Sequence, residues 1–180
     1  MILKVNSTRM ELLKLKKKHL IAKKGHKLLK DKEDELMRQL LDLIKYIREL
    51  RGEVEKEVIG VIGRYQFAKA SMKKETEDEI FMIPAKTISI DVRKRNLMSV
   101  RVPEFRREAE GKIRSYGYAF TSGELDASLQ SLDNIMERIV MLAEKEKTIQ
   151  LLADEIEKTR RRVNALEYIM IPNIEDTIKY

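Results

Sequence analysis

Cysteine and tryptophan are absent from this 180-residue sequence, and only three prolines and seven glycines punctuate it. Without cysteine there is neither a disulfide framework nor a thiolate metal site, and a reducing, intracellular compartment fits. Aromatic residues make up 6% of the chain and charged residues 37%, a composition that disfavours a broad globular core and favours narrow aliphatic seams on solvated helices. No run approaches the eighteen or so uncharged apolar residues that span a bilayer, and Met1–Lys4 leads into polar sequence without a signal-peptide core. Direct membrane insertion is therefore not expected. A phosphate-cradling loop is missing as well, because Gly60 and Gly63 are not followed by Gly-Lys-Ser/Thr. Both histidines lie in one early stretch, so no Ser/His/Asp or Cys/His set can be assembled. The carboxylates are scattered as helix-surface partners of Lys and Arg. The sequence thus predicts no catalytic residue, no cofactor site and no metal site.

What is present is a seam. From Leu12 to Met72 apolar residues recur at alternating steps of three and four, through Leu29, Leu36, Leu40, Leu43, Ile47, Leu50, Val54, Val58, Val61, Tyr65 and Ala68. That spacing predicts one long amphipathic helix of a coiled coil. Thr8 followed by Glu11 forms a capping box at its start, and no proline intervenes before Met72. Such a helix would be about 97 Å long and needs a partner helix or an enclosing sleeve. His19, His26 and Glu33 stand seven apart at seam positions. Two histidines at that spacing are about 10 Å apart along the axis, too far to share a metal. They predict a weakened seam, or one that faces another protein. Leu50, Val54 and Val58 step four then four, a stutter that locally unwinds a left-handed supercoil. Gly52, Gly60 and Gly63 fall nearby and predict a bend, or a place where a neighbouring backbone approaches closely.

A second long helix is expected from Thr121/Ser122, with Glu124 in its first turn. Its seam runs through Leu125, Leu129, Leu132, Met136, Ile139, Leu142, Ile149, Leu152, Ile156, Val163 and Leu166, and Pro172 ends or kinks it. Between the two helices, Pro84 rules out further helix. Strict alternation at Ile88, Ile90 and Val92 and again at Met98, Val100 and Val102 flanks the polar connection Arg93–Asn96, which reads as a β-hairpin. Glu104–Phe120 is less regular, and Gly111, Tyr116, Gly117, Tyr118 and Phe120 indicate a folded loop. The expected organisation is a long helix over 1–72, a hairpin and loop insertion over 73–121, and a second long helix over 122–180. The fold class is mainly α: a long antiparallel two-helix coiled coil whose short β-hairpin sits at the end opposite the termini.

The net charge is +7, and it is unevenly spread. Between Thr8 and Lys32 ten Lys/Arg face two acids, so the rest of the chain is close to neutral. A basic helix of this kind reads either as a solvated face or as a surface for nucleic acid, an anionic membrane or an acidic protein. Against nucleic acid, Tyr116, Tyr118 and Phe120 lie far from the lysines, and no stacking platform interleaves with them. Arg160, Arg161 and Arg162 are successive helical residues that splay by about 100° each and cannot converge on one ligand.

Several stretches together carry a resemblance. Asn6-Ser7-Thr8-Arg9-Met10-Glu11-Leu12 opens the first helix, and Gly25-His26-Lys27-Leu28-Leu29-Lys30-Asp31-Lys32 follows, with Asp34-Glu35-Leu36-Met37-Arg38 close behind. Near the other end stands Glu155-Ile156-Glu157-Lys158-Thr159-Arg160-Arg161-Arg162-Val163-Asn164-Ala165-Leu166-Glu167-Tyr168, then Ile171-Pro172. These resemble the D subunits of the archaeal-type and vacuolar-type rotary ATPases, and Ser89–Val100 with Val102-Pro103 resembles the hairpin of the prokaryotic members. The likeness covers nearly the whole chain.

The resemblance implies a non-catalytic rotor shaft of the central stalk, on the cytoplasmic side of the membrane. Its implied partners are the catalytic A and nucleotide-binding B subunits of the ring, the small F subunit of the stalk, and the C subunit, which links the shaft to the membrane ring. No nucleic acid and no cofactor enter. Such a shaft biases three equivalent interfaces through differential contact free energy. Contacts with the ring are expected from Arg9, Lys14, Lys16, Lys17, Lys18, Lys23, Lys24 and Lys27, with Arg160, Arg161 and Arg162 secondary. Contacts with a neighbour in the stalk are expected through Ile88, Ile90, Val92, Met98, Val100 and Val102. Family members usually carry the last helix beyond the position of Tyr180, so this chain is expected to be truncated or a short variant, with the turns around Thr8–Lys18 lacking part of their partner.

Overall fold

The computed structural model describes residue 6 and residues 8–82, 86–114, 116–117 and 121–180. Expectations that rest on Met1–Lys4, Ser7, Pro84, Tyr118 and Phe120 lie outside the described residues. The elements are α1 (Arg9–Ala70), α2 (Lys74–Met82), β1 (Lys86–Leu97), β2 (Val100–Gly111), α3 (Gly123–Ala165), a π turn (Leu166–Met170) and α4 (Ile171–Lys179). Both long helices begin on hydroxyl caps. The Glu11 N–H donates to Thr8 Oγ1 at 3.4 Å, and the Glu124 N–H donates to Ser122 Oγ at 3.3 Å, each satisfying an amide with no partner inside the helix.

Two compact units divide the chain, Met1–Asp42 with Gln150–Tyr180 and Leu43–Ile149, and α1 and α3 each contribute to both. In the first unit α1 buries Leu15, Ala22 and Leu36, while the later part of the chain buries Leu152, Ile156, Val163 and Ile174. Leu36 and Leu152 are fully buried, and each stabilises the pairing by roughly 2 kcal/mol. The pairs Lys32–Glu155, His26–Glu167 and His19–Glu175 run in opposite directions along the chain, so the helices are antiparallel here. Leu12, where the seam was expected to begin, is exposed, and the buried row starts at Leu15.

The second unit has its core in Leu50, Val54, Val61 and Ile135, with Val58, Leu132, Ile139 and Leu142 packed against it. Arg51–Glu146 and Arg138–Glu57 again pair in antiparallel order. The four-four step across Leu50, Val54 and Val58 keeps all three at the core, so the stutter is accommodated inside one unbroken helix. Ser128 and Thr148 are buried although polar, because their hydroxyls donate to the carbonyls of Leu125 and Glu144 at 2.8 Å each.

Two regions differ from the sequence-based expectation. Within the stretch expected to be a hairpin and loop insertion, Lys74–Met82 form a helix, α2, held to the end of α1 by Tyr65 Oη donating to Glu77 at 2.5 Å and by an edge-on Tyr65–Phe81 ring contact at 5.9 Å. The hairpin turns at Met98-Ser99, not at Arg93–Asn96. Leu97 pairs with Val100, and Met98 and Ser99 have φ of 48° and 70°, so a tight turn of the I′ kind is built without the usual Asn or Gly. Arg93–Asn96 belong to β1 opposite Arg101–Glu104, and the residues from Glu104 to Gly111, expected to be irregular, continue β2. Near Pro172 the helix widens into the π turn, with the Ile171 N–H reaching back to the Leu166 carbonyl. An α-helical Pro172 would clash with the carbonyl four residues before it, and the wider turn relieves this.

Candidate interaction surfaces

The first unit presents the expected basic surface. Arg9, Lys16, Lys17, Lys18, Lys24 and Lys27 are exposed, and none forms an ion pair with a described residue. Two of the expected contacts are engaged within the chain: Lys14 with Glu11 at 2.8 Å and Lys23 with Glu175 at 3.2 Å. Lys14 holds the Glu11 carboxyl below the ordinary carboxylate range. Arg160, Arg161 and Arg162 are exposed, and Arg161 pairs with Glu157 one turn earlier. Apolar side chains stand out among the lysines, a signal the charge count does not carry. Leu13, Leu20, Ile21 and Leu28 are all more than half exposed, as are Tyr168 and Ile169 on the widened turn. This surface is cationic and apolar together, suited to an acidic and greasy counterpart.

Of the three polar seam positions, His19 and His26 find partners inside the chain. His19 Nε2 lies 2.8 Å from Glu175 and His26 Nε2 lies 3.3 Å from Glu167. The imidazole of His19 and then the ammonium of Lys23 lower the Glu175 pKa. The weakened seam is therefore closed by the chain itself at these two positions. The turns around Thr8 likewise have company, since Thr8, Glu11, Leu12 and Leu15 line a groove with Thr177, Ile178 and Tyr180.

In the second unit the hairpin is clamped at its base. Asp133 of α3 accepts from Lys86 of β1 at 2.5 Å and from the Arg107 guanidinium of β2. Arg107 also donates to the Asp133 carbonyl at 3.2 Å. Hydrogen bonds from Lys86 and then Arg107 outweigh the cost of burial and hold the Asp133 carboxyl below its usual range. Further along, the Phe105 N–H donates to Glu144 at 2.9 Å. A cleft of about 700 Å³ lies beside these groups, lined by both signs of charge, including Arg93, Glu104, Arg106, Glu137 and Lys145. Sequence reading singled out none of these anchors, because a lone Asp on a helix and a Lys and Arg on strands have no spacing signature.

Of the six residues expected to meet a neighbour through the hairpin, Val100 and Val102 are buried within the chain, at 7% and 5% exposure. They cannot serve as contacts, because their apolar surface is already taken up by this protein's own packing. Ile90 and Val92 are exposed at 49% and 54%, while Ile88 and Met98 are half-buried. On α1, Ile59, Ile62 and Phe67 also face outward. A Cβ placed on Gly52, Gly60 or Gly63 would meet nothing within 4 Å, so these glycines do not admit a close backbone of this chain.

Among the described residues no group of three or more His, Asp or Glu is placed to hold a metal ion, and no helix is long and apolar enough to cross a membrane. Comparison with known proteins gives a consistent set of relatives. The family of ATP synthase D subunits matches residues 11–180. The V-type ATP synthase D subunit of Thermoanaerobacter sp. (strain X514) is 52% identical over 178 residues, covering 98% of this chain and 85% of the relative. That of Clostridium novyi (strain NT) is 53% identical over 183 residues, with 99% and 85% covered. That of Clostridium botulinum (strain ATCC 19397 / Type A) is 52% identical over 185 residues, with 100% and 86% covered.

Proposed function

This chain belongs to the family of V-type ATP synthase D subunits, which are central-stalk components of the rotary ATPases, and on that premise we propose how it works within its multi-subunit complex. It acts as a non-catalytic shaft that couples nucleotide turnover in a ring of A and B subunits to ion translocation. It does so from the cytoplasmic side of the membrane, as a peripheral part. The observation that carries the reading is the family match over residues 11–180, joined to a 62-residue helix without interruption. A shaft needs differing faces rather than bond-making groups, because only contacts that differ between rotational positions can bias the ring.

The ring contact is the exposed basic surface of Arg9, Lys14, Lys16, Lys17, Lys18, Lys23, Lys24 and Lys27, to which the outward Leu13, Leu20, Ile21, Leu28, Tyr168 and Ile169 are added. Arg160, Arg161 and Arg162 extend it. The F subunit is met through the exposed hairpin residues Ile90 and Val92 and through the exposed Ile59, Ile62 and Phe67 of α1, and the C subunit links the shaft to the membrane ring. A nucleic-acid role draws no support from the relatives, which carry the same name.

Co-purification with candidate A, B and F subunits, followed by an ATP hydrolysis assay, tests the reading. Assembly and hydrolysis that depends on the chain are expected. Tight DNA binding with no affinity for those subunits would overturn it. Reversal of Lys16, Lys17, Lys24 and Lys27 to Glu tests the ring contact. It should lower coupled hydrolysis and torque in the assembled motor, and unchanged values would remove that assignment.

A further inference from the structure

Among the described residues no strand pairs with the outer edge of β1, and the chemistry of that edge identifies what can occupy it. Antiparallel partners alternate between narrow pairs, which exchange both main-chain hydrogen bonds, and wide pairs, whose N–H and C=O point out of the ribbon. Two observations set the phase here. Leu97 and Val100 close the two-residue turn as a narrow pair, and the Phe105 N–H leaves the ribbon to reach Glu144. Val92, opposite Phe105, is therefore in a wide pair, as are Ile90 and Lys94, two residues to either side. On the β2 side this edge is managed: Glu144 takes one N–H, and Pro103 stands opposite Lys94 with none to offer. On the β1 side the outward groups of Ile90, Val92 and Lys94 bond to no other described residue.

An open edge of this length is a template for another strand. Its side chains are sorted by face. Ile90 and Val92 project from one face, 49% and 54% exposed, and Arg93 and Arg95 project from the other, also exposed. Pairing with a second copy is disfavoured in the register centred on Lys94, where Arg93 would stand opposite Arg95, because like charges placed opposite destabilise a sheet. Arg93 is already paired with Asp91 at 3.1 Å, and an anionic strand is complementary to the remaining cations, Lys94 and Arg95. We propose that the outer edge of β1 receives an extended segment of a neighbouring subunit as a third strand. Its apolar residues lie beside Ile90 and Val92 and its carboxylates beside Lys94 and Arg95. The inference rests on the reading that this chain works inside a multi-subunit complex, and it adds the mode of contact to that reading.

Residue-resolved amide hydrogen exchange on the full chain, free and in the reconstituted complex, tests it. The outward amides of Ile90, Val92 and Lys94 should slow at least about tenfold on assembly. The already paired amides of Asp91 and Arg93 should change less. Ile90→Pro and Val92→Pro remove an outward N–H at positions equivalent to that of Pro103, so the ribbon should survive. Each should weaken assembly about tenfold, and Lys94→Glu should weaken it in the same direction. A complex that assembles normally while these three amides exchange as in the free chain overturns the strand-addition proposal and leaves the stalk reading standing. A chain that assembles with none of the ring or stalk subunits overturns both. Charge reversal that promotes self-association with no loss of assembly would make the cations a guard against aggregation, and it too would overturn the proposal.

Discussion

Asp133 is the residue on which the hairpin should depend most. Replacing it by Ala leaves Lys86 and Arg107 without their shared carboxylate, and both cations are largely buried, with side-chain exposures of 18% and 16%. Arg107 keeps its bond to the Asp133 main-chain carbonyl, but its Nε is already buried without a partner among the described residues. Two charge-assisted hydrogen bonds would contribute about 1.5–3 kcal/mol each in a dry site. Asp133 itself is 30% exposed, so water recovers part of that, and a loss of about 2 kcal/mol is the reasonable expectation. The loss should be local. In Asp133→Ala the inward amides of Asp91, Arg93 and Arg106 should exchange about thirtyfold faster, while those of Val54 and Ile135 in the core change little. The pH dependence follows from the lowered Asp133 pKa. The clamp is fully present above the ordinary aspartate range and is lost as pH falls through the lower folded value. Hairpin protection in the native chain, corrected for intrinsic exchange, should therefore be flat from neutral pH down to about 5 and collapse only in stronger acid. Unchanged hairpin exchange in Asp133→Ala, or equal loosening of the helical core, would refute the clamp.

Leu36→Ala removes a fully buried side chain and should cost about 2–5 kcal/mol in denaturant unfolding of the free chain. Replacing Met98-Ser99, both at positive φ, by Asn-Gly should stabilise the hairpin by about 1 kcal/mol, read as slower exchange of the β1 amides. Gly60→Ala adds a methyl that meets nothing within 4 Å and should raise the stability of the free chain by about 0.5–1 kcal/mol. A fall in stability there would mean that the glycine has a packing role inside the chain.

The long helices were legible because one physical rule decides them. A side chain every three or four residues lies on one stripe, and Leu36, Leu50, Val54, Leu152 and Ile156 are buried where that rule places them. The rule is blind to polar residues whose hydroxyls find a partner in their own helix, which is why Ser128, Thr148 and Thr177 did not stand out as core members. The hairpin's existence was readable from alternation, but its register was not. Arg93–Asn96 have the polarity of a turn and lie in a strand, because a two-stranded ribbon leaves their side chains in water. The turn itself fell on Met98-Ser99, two residues that seldom adopt positive φ, so local chemistry carried no sign of it. The basic surface was readable by counting charge. Its apolar component was not, since Leu20 and Leu28 in a helical sequence look like seam residues until the seam is placed.

The glycines of α1 carry the argument one step further. Each costs up to about 1 kcal/mol against Ala within a helix, and that cost is normally offset by a backbone that approaches where a Cβ would clash. At Gly25, Gly52, Gly60 and Gly63 no other described part of this chain makes that approach. Gly60 borders a groove of about 350 Å³ with Val61, Arg64, Ser131 and Asn134, and Ile59 and Ile62 stand exposed on either side of it in sequence. The isolated chain therefore bears a helix penalty it does not recover. A protein whose working state is an assembly can recover it outside itself, through a neighbour that seats against bare backbone and covers the flanking isoleucines. On this account the same stretch that weakens the free helix fits it for a partner, and the gain expected from Gly60→Ala in isolation should come with weaker assembly.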